Sequence, residues 1–134
     1  MSGFFLDAAL IESLIDKARA APRRRSHHNL HTDPAAPAHR MLVAMEPDSY
    51  VRPHCHLDPA KAETIIVLRG RLGTLIFDAA GQVLDARVMA PGAAVFGYDV
   101  PPGVFHSIVA LESGTVFVEA KNLKKSFGDR VLID

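Results

Sequence analysis

From Gly70 to Gly114 the chain is interrupted by turn-forming residues about every eight to twelve positions, after an earlier break at Pro47-Asp48, and this limits what it can fold into. The breaks are Pro47-Asp48, Gly70, Asp78-Ala79-Ala80-Gly81, Ala90-Pro91-Gly92, Pro101-Pro102-Gly103 and Glu112-Ser113-Gly114. Between them lie apolar runs too short for helices and rich in Val, Ile, Leu and Phe. The expected strands are 40–45, 49–56, 63–69, 72–77, 82–89, 94–96, 104–111 and 115–121. Segments 97–103 and 122–129 are read as loops. Gly81 is assigned the positive φ of a hairpin loop. Residues 130–133 add an edge strand or cross to a partner. Many short strands with regular turns indicate an all-β sandwich or barrel.

One helix precedes the strands. Asp7 is placed to cap residues 8–20, where Leu10, Ile11, Leu14, Ile15 and Ala18 form an apolar stripe with a 3.6-residue period. Pro22 ends it. The stripe is expected to pack on the outside of a sheet or against a partner subunit. Residues 1–39 are thus assigned to the helix and a linker, and 40–134 to the β domain, in one structural domain overall.

The 134 residues suffice for one core but not comfortably for two. Fifteen Lys and Arg balance fifteen Asp and Glu. The balance argues against a nucleic-acid or anionic-membrane surface as partner. No apolar run approaches the roughly 18 residues of a membrane span, and the N-terminus has no signal-peptide layout. A cytoplasmic protein is expected. Cys55 is the only cysteine, which excludes an internal disulfide.

The chemistry concentrates in His54-Cys55-His56. On a strand, residues i and i+2 share a face, so both imidazoles reach one point while Cys55 points away. Its alternative role is a soft ligand or nucleophile. Glu63 opens the next apolar run and can return beside the histidines. His106 follows the turn Pro101-Pro102-Gly103 on a later strand. Three His and one Glu form a mixed nitrogen and oxygen set suited to a divalent ion such as Zn, Fe, Mn or Ni. The competing reading makes the histidines structural. Arg52 shares the face of His54 and His56. His31, Tyr98, Asp99 and Lys121 are further candidates to assist a reaction, and Glu119 and Lys121 share one strand face. The segment Arg23-Arg24-Arg25-Ser26-His27-His28-Asn29-Leu30-His31 is either a solvated basic linker or a set of side chains lining a pocket for an anion.

These motifs together resemble the cupin signature. Its first motif is matched by His54-Cys55-His56, by Glu63 and by the six residues from there to Gly70. Its second is matched by Pro101-Pro102-Gly103 and His106. Asp48 stands where the first motif has glycine, the gap from His56 to Glu63 is longer than usual, and Ala110 replaces the final asparagine. Within the cupins the chain is most similar to the WbuC family, through Asn29-Leu30-His31, Tyr50 to His54, Leu68 to Leu72, Val100 to His106 and Glu119-Ala120-Lys121. The resemblance implies a jelly-roll β-barrel (a double-stranded β-helix) with a metal held by His54, His56, Glu63 and His106. It also implies a small-molecule ligand such as a sugar derivative, a link to surface-polysaccharide biosynthesis and a homodimer. Metal-dependent isomerisation, an iron-dependent dioxygenase, hydrolysis and ligand sensing without turnover all fit such a site.

Overall fold

The computed structural model describes residues 3–122 and 130–133. Helix α1 spans Ala8–Ala20 and is capped by Asp7, whose carboxylate accepts the Leu10 N–H. The strands are β1 Arg25–Asn29, β2 Ala38–Met45, β3 His54–His56, β4 Glu63–Arg69, β5 Leu72–Phe77, β6 Val83–Met89, β7 Gly97–Val100, β8 Phe105–Ala110, β9 Thr115–Asn122 and β10 Arg130–Leu132. Two five-stranded antiparallel sheets result, ordered β1-β2-β9-β4-β7 and β10-β3-β8-β5-β6. Their edges are not hydrogen-bonded into a closed barrel among the described residues.

Alternation along β2, β4 and β9 divides the first sheet. One face carries Val43, Met45, Ile65, Val67 and Phe117, which meet Leu72, Met89 and Ala110 of the second sheet in the core. The other carries Leu42, Ala44 and Val116, which pack on Leu14, Ile15 and Ala18 of the helix. The apolar stripe of α1 thus covers the outside of a sheet, one of its two expected places.

The strand map departs from expectation in three places. Arg25–Asn29 is a strand rather than a linker, paired from Arg25↔Met45 to Asn29↔Met41. Being polar and at an edge, it lacks the apolar alternation that marks a strand. Gly97–Val100 is strand and 94–96 is not. Gly97 fits against β4 because its missing Cβ would lie 2.5 Å from the Ile65 carbonyl oxygen. In the 49–56 segment only the last three residues join a ladder. Gly81 has the expected positive φ, 87°. The loop expected at 122–129 lies, apart from Asn122, outside the described residues.

Candidate metal centre

His54 and His56 sit on β3, and His54 is in register with His106 on β8. Glu63 begins β4 in the facing sheet. The two sheets bring all four side chains together between them. The imidazoles of His54 and His106 have centroids 4.5 Å apart, and those of His54 and His56 are 5.5 Å apart. Glu63 places Oε1 3.0 Å from Nε2 of His56 and Oε2 3.7 Å from Nε2 of His106. The turn before His106 is tied to the same strand, since the Gly103 N–H donates to the His56 carbonyl at 2.6 Å.

Two rings are oriented from behind. Nδ1 of His54 donates to the Arg52 carbonyl and Nδ1 of His106 to the Val104 carbonyl, each at 2.9 Å. A carbonyl only accepts, so in the neutral ring the lone pair lies on Nε2, the atom turned to the cluster. Backbone anchoring of this kind characterises ligating histidines. Among the described residues no three His, Cys, Asp or Glu already stand in a ligating arrangement. Glu63 instead lies against the imidazoles it faces. The donor types nonetheless fit a divalent ion: three imidazoles and a carboxylate that is 4% exposed.

The electrostatics follow from burial. Burial alone would raise the Glu63 pKa, but His106, His56 and the Lys121 charge outweigh it and hold the carboxyl well below the usual range. Burial would lower His106, but Glu63 and the Val104 carbonyl raise it. Glu119 is shifted up, chiefly by burial, against the charge of Lys121.

The cluster forms one part of a cavity of about 480 Å³, within the size range of small-molecule sites. Lys121 and Glu119 line it, because β9 alternation sets both on the same inward face as Phe117. Their side chains are 3.3 Å apart. Arg23, Arg25 and His27 also line it, which places part of the basic segment on a pocket wall.

Other candidates lie elsewhere. His31 stacks on His39, with ring centroids 4.0 Å apart, and its Nδ1 lies 3.2 Å from the Arg40 N–H. Arg52 donates from Nε to the Ile133 carbonyl at 3.0 Å. The irregular backbone before His54 breaks the alternation that would have aimed it inward. Tyr98 packs on the core, its pKa raised by burial and by Asp85 and Asp99, and Asp99 accepts from the Thr64 hydroxyl at 2.8 Å. Cys55 is buried on the face away from the cavity lining.

The family profile described as "Domain of unknown function (DUF6016)" matches residues 6–89. The chain belongs to the DUF6016 family. A search of curated proteins found no match to its sequence. Among solved structures, this DUF6016 chain is similar to oxalate decarboxylase from Bacillus subtilis, at 20% identity and a TM-score of 0.59 over 81% of its length. It is also similar to oxalate oxidase in complex with the substrate analogue glycolate, at 18% identity and a TM-score of 0.61 over 85%. A third is KdgF from Halomonas sp., at 16% identity and a TM-score of 0.61 over 78%. The chain spans 27% of the decarboxylase, 57% of the oxidase and 84% of KdgF. At these identities the likeness is one of fold, and the fold of this DUF6016 member is the cupin jelly roll.

Proposed function

We propose that the chain is a mononuclear metal-binding cupin that takes a small polar or anionic molecule into its cavity, with His54, His56, Glu63 and His106 as the ligands. The observation that carries this reading is the convergence of three imidazoles and one buried carboxylate, two of the rings held from behind by backbone carbonyls. A divalent ion held there would supply Lewis-acid polarisation of a hydroxyl or carbonyl oxygen. The residues' own part is to orient and to move protons. Lys121 and Glu119 stand on the cavity wall beside Glu63, where Lys121 is its register partner. A sugar derivative, with a link to surface polysaccharide, is the ligand class favoured by the WbuC-like motifs.

The test is elemental analysis by inductively coupled plasma mass spectrometry on protein purified without added metal. About one divalent ion per chain is expected in the wild type, and its loss in a His54→Ala/His106→Ala double mutant. Equal metal in both, or none in the wild type, would make the histidines structural.

The pairing into a homodimer is assigned to β6. This edge strand is exposed from Val83 to Val88. Two copies aligned antiparallel about Ala86 would set Asp85 of each opposite Arg87 of the other, and Leu84 opposite Val88. Opposite charges and apolar pairs then match across the edge.

A further inference from the structure

We infer that Arg23 and Arg25 form an anion subsite of the cavity, holding the carboxylate or phosphate head of the ligand at the end remote from the histidine cluster. This rests on the reading of the cavity as a small-molecule site, but not on a metal being bound. Both guanidinium-bearing residues line the cavity. Among the described residues neither has a carboxylate partner, although the chain's other cavity charges are matched. Glu63 faces His56 and His106, and Glu119 faces Lys121. Arg25 is also held in place. Its Nη1 donates to the Ser49 hydroxyl at 3.1 Å and to the Tyr50 carbonyl at 3.0 Å. Ser49 is buried and donates in turn to the Arg23 carbonyl at 2.7 Å. These bonds use one nitrogen of a five-donor fork and leave the others for an oxyanion.

The backbone between the two arginines is strained in a way that serves this placement. Arg24 has φ 57°, the only non-glycine residue with positive φ among those described. Its side chain is tied away from the cavity, to Asp48 at 3.1 Å and to the Arg19 carbonyl. Its carbonyl accepts the Glu46 N–H at 2.9 Å. Such left-handed conformations persist only where surrounding contacts enforce them, and they concentrate at ligand sites.

Register sets the ligand's shape. Arg25 pairs with Met45, whereas Lys121, level with Glu63, pairs with His39 at the other end of β2. The intervening wall is apolar, formed by Val43, Ile65, Ile108 and Phe117. The ligand therefore carries its anionic head on a body several bonds long.

The test is isothermal titration calorimetry of the full chain, as purified and after chelation, with metal content measured on the same samples. The probes are gluconate, hexanoate and inorganic phosphate, with neutral glucose as control. At least one anion should bind, more tightly than glucose. Its Kd should rise at least tenfold in Arg23→Gln and in Arg25→Gln, with metal content unchanged. The preferred probe distinguishes a sugar-acid body from an apolar one, or a phosphate head from a carboxylate. Arg25→Lys retains the charge without the fork and serves if Arg25→Gln does not fold. The inference is overturned if no anion binds, if glucose binds as well as the anions, or if the Arg23 and Arg25 variants bind as the wild type does. Arginine-dependent binding with no metal found in the protein as purified would sustain this subsite while removing the metal reading, whereas its loss on chelation alone leaves both readings joined at one site.

Discussion

Glu46 illustrates how one residue couples charge to fold. It lies just past β2 and is 3% exposed. It accepts from Arg19 at 2.9 Å, the Ser113 hydroxyl at 2.7 Å and the Gly114 N–H at 2.8 Å. Burial raises its pKa, but these three partners prevail and hold it below the ordinary 4.5. A depressed folded-state pKa makes the ionised form a stabiliser. Its contribution is full above about pH 4.5 and is lost as pH falls through the folded-state value. Glu46→Gln should therefore lower stability by about 1–3 kcal/mol at pH 7, the cost of leaving charged donors poorly matched. The deficit should shrink below pH 4, as measured by urea unfolding across pH. An unchanged gap at low pH would show that the carboxylate's charge is not what matters.

At the scale of elements, α1 is stabilised by what it covers. Leu14 is 3% exposed between the helix and the outer face of β2 and β9. Leu14→Ala should cost about 2–5 kcal/mol by chemical denaturation, with metal content per folded chain preserved because the cluster lies on the other face of the sheet. The same division explains what could be read beforehand. His54 and His56 were legible as a pair because alternation needs only spacing, and Asp7 because an N-cap is a local bond. Glu119 and Lys121 were legible as sharing a face. Arg23 and Arg25 were legible only as one of two alternatives, because β1 has no apolar pattern and Arg24 departs from regular strand geometry. Arg52 was misdirected by alternation, which fails where the backbone around Pro53 leaves the ladder. Strand β7 was hidden by Gly97, whose role is close packing against β4 rather than a turn.

At the scale of the whole molecule, the proposed β6 pairing would make association a concentration-dependent property. Light scattering on size-exclusion eluate should give a dimer mass for the wild type. Leu84→Lys/Val88→Lys, which sets like charges opposite each other across the edge, should give a monomer mass with unchanged circular dichroism, and a monomeric wild type would exclude the β6 pairing. The opposite edge of that sheet has a different consequence. Strand β3, which bears two of the histidines, is three residues long and has one register pair with β8. Its other flank is closed by β10, with Arg130↔His56, Val131↔Cys55 and Leu132↔His54. A chain emerging from the ribosome has both histidines and Glu63 in hand long before it has residues 130–132. During synthesis the two-histidine strand therefore waits, half-framed, and its geometry is fixed once residues 130–132 have been made rather than when its own codons are read.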